Sequence, residues 1–285
     1  MLSYIFLILS IVLSVCKSGI YNKFAKSENP GIIEILLFNA LSYGTVTALT
    51  LLLGGFGKIS LITLVCAAAY AIDVFSLQAI SIAAMKIGPM SLTTMFVLYG
   101  MIIPSLSGPV FWGEPFGAAQ AVGIALILLS VWLLCEPDGA RNAIGRKWIA
   151  MAAICLLLSG MAGLIEKVHQ MSAARNERIS FIFTAGVIMF ILSLAGRLLP
   201  IRRAKAGISH KGIVLGLVLG VIIFLYSRIN LTGTLNSLIY YPVSNGGALI
   251  LSVFVSAAIF REKLSVRKIF GAIIGLVAVV MLSVI

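Results

Sequence analysis

Charge is what this chain has least of. Only 11% of its 285 residues are Asp, Glu, Lys or Arg, against about 25% in an ordinary soluble domain. With 61% hydrophobic residues, it lacks the polar surface that would clothe a water-soluble globule. Acidic residues are scarcest: nine Asp and Glu stand against 21 Lys and Arg, a net charge of +12. Those basic residues are scattered between apolar runs, with no continuous basic face and no aromatic interleaving, which argues against nucleic acid as a partner. Phospholipid head groups are the expected counter-charge.

Reactive groups are equally sparse. Cys16, Cys66, Cys135 and Cys155 lie in or at the ends of apolar segments with no CxxC and no nearby His, so no metal set forms and they read as small core residues. His169 and His210 fall in predicted loops and read as interfacial. There is no GxxxxGK[ST], no HExxH and no Ser-centred elbow, so ATP hydrolysis and hydrolytic chemistry have no carrier in the sequence. Asp138-Gly139-Ala140-Arg141 glances at lipid phosphotransferase motifs without the further aspartates that would hold metal. The chain is therefore not expected to be an enzyme, and no cofactor is implied. Long polar segments are missing too: the sizeable connections run over 136–147, 167–178 and 202–211, all too short for a soluble domain.

What is present is long apolar runs. Crossing a hydrocarbon core takes about 20 apolar residues, because the core is roughly 30 Å thick and a helix rises about 1.5 Å per residue. Ten segments qualify, over 2–22, 32–53, 60–84, 89–111, 117–135, 148–166, 179–199, 212–236, 243–260 and 268–285. The expectation is an all-α, multi-pass integral membrane protein. Met1 to Cys16 lacks a preceding basic residue, so it reads as a retained first helix, not a signal peptide.

The ten segments fall into two copies. Trp112-Gly113-Glu114-Pro115-Phe116 is followed by Gly123, and Phe260-Arg261-Glu262-Lys263-Leu264 by Gly271 at the same spacing. Gly88-Pro89-Met90-Ser91 echoes Tyr241-Pro242-Val243-Ser244, and Lys23 corresponds to Lys167. Residues 1–139 and 140–285 thus form two five-helix repeats; five being odd, the second must enter the membrane in the opposite sense, the usual build of an alternating-access carrier. The copies are unequal around Pro104 to Pro109, where two prolines are expected to kink or extend the fourth helix.

These features resemble the ten-helix, EamA-type branch of the drug/metabolite transporter superfamily. The resemblance covers nearly the whole chain and rests on the helix count, the two halves, and a glutamate placed before a glycine-bearing fifth helix of each half. It implies carriers and exporters of amino acids, other metabolites, nucleotide conjugates or drugs, with both termini inside. Charge points the other way. Lys58, Lys167, Arg175 and Arg178 are the basic residues in connections after even-numbered helices, and the connections after odd-numbered ones carry the majority. The positive-inside rule then puts both termini outside.

Ionisable groups deep in a membrane helix cost about 2.5–3.5 kcal/mol on insertion scales, so each marks a candidate site. Asp73 lies in the middle of the third segment, with Tyr70 one turn before it, and can hold a proton, a sodium ion or a cationic group of substrate. Arg228 in the eighth is its counterpart at a similar predicted depth, with a planar fork suited to carboxylate; snorkelling to the far interface is the alternative. The same segment carries Tyr226 and Asn230 on one helical face. Pro89 and Pro242 are placed in first helical turns ahead of Ser91 and Thr94 in one half and Asn245 in the other, with Tyr99 two turns further in. Lys17 and Glu34 read as end-of-helix groups, and Glu114 and Glu262 as loop-fixing residues outside the site. Small-xxx-small spacings at Ala119–Gly123, Gly216–Gly220 and Gly271–Gly275 argue close helix packing.

The functional expectation is a secondary active exporter or exchanger of a small polar or zwitterionic metabolite such as an amino acid, with a midplane cavity between the repeats and coupling to protons or sodium. Efflux of hydrophobic cationic drugs is the alternative. The setting is a lipid bilayer, the bacterial inner membrane, with the chain a monomer or homodimer.

Overall fold

A computed structural model describes residues 2–28, 31–54, 57–87, 90–134, 145–196, 208–232, 235–260 and 265–283. Those residues form eleven α-helices and no strand: α1 (Leu2–Glu28), α2 (Ile32–Gly54), α3 (Leu61–Ile87), α4 (Met90–Tyr99), α5 (Ile102–Trp112), α6 (Ala118–Leu134), α7 (Arg146–Met171), α8 (Arg178–Gly196), α9 (His210–Thr232), α10 (Ser237–Phe260) and α11 (Val266–Ser283). Seven helical stretches are long and apolar enough to cross a membrane, and 118–134 and 238–251 are shorter apolar helices. Large apolar side chains stand outward on them, with Leu52 77%, Leu61 74% and Val110 70% exposed. Helices that hide their backbone polar groups and turn hydrocarbon outward are built for lipid. The protein is an all-α membrane protein.

Each predicted segment corresponds to one helix except 89–111, which is two. The break at Gly100 and Met101 lies upstream of the prolines expected to cause it. Pro104 is the third residue of α5, where an amide would have no partner in its own helix. The chain therefore starts a fresh helix instead of continuing α4, with Ile103 N–H donating to Gly100 O at 3.0 Å and Ser105 N–H to Met101 O at 3.1 Å. Gly100 makes the elbow possible. A β-carbon there would lie 2.7 Å from Leu156 O and 2.8 Å from Gly160 N, so its backbone rests directly on the backbone of α7.

Two further boundaries differ from the hydropathy reading. The segment expected over 212–236 ends as α9 at Thr232, and Asn236 opens the next helix, its Oδ1 accepting from Leu238 N–H at 2.8 Å. An Asn cap satisfies one of the free amides of a first turn. Pro242 consequently lies inside α10 and not in its first turn. The first segment, expected to end at 22, runs on to Glu28, so Lys17 is well inside α1 and not at its end. Cys16, expected in the core, is exposed.

The chain divides into two compact units. Unit 1 holds residues 1–12, 76–167 and 233–285; unit 2 holds 13–75 and 168–232. Helices α1, α3 and α7 contribute residues to both, and each unit draws on both halves of the sequence. In unit 1, α11 lies along α6, where Ser130 Oγ donates to Gly271 O at 2.7 Å and a β-carbon on Gly271 would lie 2.9 Å from Leu133 Cβ. In unit 2, α9 lies along α2. Ser42 Oγ reaches Gly216 O at 3.1 Å, and a β-carbon on Gly220 would lie 2.5 Å from Ser42 O. Two of the three small-residue stripes thus pack as expected.

Candidate functional site

Asp73 sits midway along α3. Its neighbours Ala71 and Val74 pack with Tyr43, midway along α2, and Met189, midway along α8. Tyr70, one turn earlier, sets its ring 5.5 Å from that of Phe181 at a tilt of 56°. The carboxyl Oδ2 of Asp73 is buried and has no hydrogen-bond partner among the described residues. Lone buried carboxyl oxygens are rare because each forfeits its water without replacement. An oxygen in that condition is an acceptor awaiting a donor: a proton, a cation or an ammonium.

Arg228 lies at a different level. Its Nη1 would be 3.8 Å from a β-carbon on Gly54, the last residue of α2, which would also meet Ile179, the second residue of α8. The guanidinium carbon sits 5.8 Å from the Phe224 ring centre. Arg228 is thus beside helix ends, whereas Asp73 is beside helix middles, and no ion pair joins the two among the described residues. The equal depth expected from aligning the prolines does not hold, because Pro242 lies inside its helix.

The other predicted residues are distributed over both units. In unit 2, Tyr226 receives Lys17 Nζ at 4.4 Å from its ring centre, a cation–π contact between α1 and α9. Asn230 is buried, and its backbone carbonyl accepts from Gln170 Nε2 at 3.1 Å. In unit 1, Tyr99 donates its hydroxyl to Leu128 O at 2.9 Å, tying α4 to α6. Asn245 Nδ2 donates to Tyr241 O at 3.1 Å within its own helix. Both are engaged in packing. The side chains of Ser91 and Thr94 lie outside the described residues, as do Pro89 and Glu262.

Sequence reasoning missed two polar arrangements. The first fixes Glu114. Gly113 ends α5 in the left-handed region at φ 64°, and Glu114 N–H then donates to Gly108 O at 3.3 Å. That turn aims the carboxylate at Lys167 Nζ, 2.7 Å away, in an ion pair whose side chains are 8% and 15% exposed. Lys167 also faces Trp112 at 5.9 Å. Glu114 therefore braces the loop, as its position at a helix end suggests.

The second gathers in unit 2 around His169. This residue was expected in a loop, but α7 runs five residues past the predicted end, and His169 is fully buried in its last turn. Its Nε2 lies 3.1 Å from Thr63 Oγ1, in the first turn of α3. Thr63 Oγ1 donates to Glu177 Oε2 at 2.6 Å, and Ser60 N–H donates to the same oxygen at 2.7 Å. The hydrogen bond from Thr63, followed by those from Ser60, holds the Glu177 carboxyl below the usual carboxylate range. The ring of His169 packs 4.6 Å from Phe181. The one available signal was the stretch Glu166 to Gln170, four polar residues and Val168 continuing straight out of an apolar helix.

No protein-family model matches this chain, and no curated protein does. Twenty-nine chains of solved structures are similar to it. One, described as "Crystal structure of protein", matches with a TM-score of 0.77 at 13% identity, over 99% of this chain and 96% of that one. At that identity the likeness speaks for the fold alone.

Proposed function

We propose that this chain is a secondary active transporter, an exporter or exchanger of a small polar metabolite that carries an ammonium group, an amino acid being the simplest case. The reading places it in the drug/metabolite transporter superfamily, with ten spans in two inverted repeats, in a bacterial inner membrane. The observation that carries it is the buried Oδ2 of Asp73, halfway along an apolar helix and without a hydrogen-bond partner among the described residues. A bundle helix that served only as an anchor would gain nothing from a lone carboxylate, whereas a carrier needs a group that binds and releases a cation on each cycle. The two sequence copies marked by Glu114 and Glu262 support the same reading.

A second reading, efflux of hydrophobic cations, is favoured by the position of Arg228. With its guanidinium beside the ends of α2 and α8, the carboxylate of a zwitterion held at Asp73 would lack a cation at the same level. The two readings separate in one experiment. Proteoliposomes containing the wild-type chain are loaded with labelled amino acids or with cationic dyes, and counterflow is followed for Asp73→Asn and Arg228→Ala. On either reading Asp73→Asn lowers flux at least tenfold. Loss in Arg228→Ala as well selects the zwitterion, and unchanged flux selects the cation. Full flux in Asp73→Asn sinks the site.

A further inference from the structure

The hydrogen-bond arithmetic of the His169 cluster fixes a direction. A threonine hydroxyl has one hydrogen and two lone pairs. The hydrogen of Thr63 is committed to Glu177 Oε2 at 2.6 Å, a short, charge-assisted contact. Its oxygen can then only accept, from Ser60 Oγ at 3.3 Å and from His169 Nε2 at 3.1 Å. The imidazole is therefore the Nε2–H tautomer, and Nδ1 carries the bare lone pair. That Nδ1 is buried and has no hydrogen-bond partner among the described residues. The result is a basic nitrogen of a fully buried side chain, left open and connected through one hydroxyl to a carboxylate at the chain's polar edge.

We propose that His169 Nδ1 is a proton-binding site whose charge Thr63 relays to Glu177. When a hydrated proton loads Nδ1, the new N–H bond makes an imidazolium. Its charge is balanced by moving Nε2–H onto Thr63 Oγ1 while the hydroxyl proton of Thr63 passes to Glu177 Oε2. The ring is left neutral with hydrogen on Nδ1, Thr63 is unchanged, and Glu177 is a neutral acid that can release its proton to water. One proton enters at Nδ1 and one leaves at Glu177, and the net change in the protein is the ring tautomer, from Nε2–H to Nδ1–H. The same steps reversed carry a proton inward.

The charged groups around the imidazole are few. Glu177 and Arg178 face it from the turn into α8 and from α8 itself, and Lys58, in the stretch before α3, acts on Glu177. Arg228 of α9 lies beside Ile179, Glu166 and Lys167 precede His169 on α7, and the inward face of α3 offers Cys66 and Tyr70. Among the described residues Glu177 is the one anion in hydrogen-bonded connection with the ring, and of the charged groups it acts on the ring more strongly than Arg178. This site would supply the proton coupling of the carrier reading and rests on that reading for its use, though not for its measurement.

The chain has only two histidines, which makes the test direct. Full-length protein labelled with 15N and 13C histidine, in lipid nanodiscs, gives two ring signals, and His210→Gln assigns them. His169 is expected as the Nε2–H tautomer at high pH. Glu177→Gln is expected to lower its titration midpoint by at least one pH unit, and Thr63→Ser, which keeps the hydroxyl, to leave it within a few tenths of a unit. An Nδ1–H tautomer in the wild type overturns the proposal, as does a shift below one unit in Glu177→Gln. Should Glu177→Gln fail to fold, the wild-type tautomer decides alone. Because no transported solute is added, loss of flux in the transport assay with this titration intact would refute the carrier and leave the proton site standing.

Discussion

Replacing Gly100 by alanine should loosen the α4–α5 elbow from α7 by a measurable amount. The new β-carbon would lie 2.7 Å from Leu156 O and 2.8 Å from both Gly160 N and Ser159 Cβ. Ordinary contact begins near 3.4 Å, so 3.4 − 2.7 leaves 0.7 Å to be found. Two of the three atoms are backbone of a helix that cannot rotate aside, so the elbow must move bodily. Overpacking of this kind costs about 1–3 kcal/mol, and in a chain of this size each kcal/mol shifts the melting temperature by roughly 2–4 °C. Gly100→Ala is expected to melt about 6 °C lower in detergent, read by tryptophan fluorescence or by the surviving monodisperse fraction after heating. Gly19 is the control. A β-carbon there meets nothing within 4 Å, and alanine in a helix interior gains about 0.5–1 kcal/mol over glycine. If Gly100→Ala and Gly19→Ala melt together, the close approach of the elbow to α7 is wrong.

The Lys167–Glu114 pair predicts a non-additive result. Glu114→Gln or Lys167→Met alone leaves a nearly buried charge without its partner and should cost about 3 kcal/mol, whereas the double variant should recover most of that loss; equal, additive losses in a double-mutant cycle would refute the pairing. Glu177 sets a pH dependence. Its folded value lies below the ordinary carboxylate value, so its contribution is complete above pH 4.5 and disappears as pH falls through the lowered folded value. Melting curves of the wild type should therefore drop more steeply below pH 4.5 than those of Glu177→Gln, and parallel curves would remove the Thr63 and Ser60 bonds from the account.

Hydropathy located the helices because a spanning helix needs a run of apolar side chains wherever its partners lie. It could not locate the break at Gly100, since the residues on both sides are equally apolar and the cause is a missing amide at Pro104. Pro242 misled for a different reason. A proline is legible as a helix start only when no better cap stands upstream, and Asn236 is one. The candidate site was half legible. Asp73 announces itself as a carboxylate in an apolar run, but the level of Arg228 depends on Gly54 and Ile179, neither of which says anything from its place in the chain. His169, Thr63 and Glu177 were hidden because Thr63 stands more than a hundred residues before His169, and hydrogen bonding across that separation leaves no periodic trace.

The glycine contacts between α9 and α2 have a mechanical consequence for unit 2. With Gly216 and Gly220 seated against Ser42 and Thr45, the two helices mesh like a key in its slot. Rotating α9 by one residue would bring Leu215 or Leu219 onto a backbone with no room for it, and sliding by a turn would break the Ser42 bond first. The pair can therefore tilt together but not shear, so any rearrangement of unit 2 that moves the surroundings of Asp73 must be sought where α3 or α8 meets this locked pair.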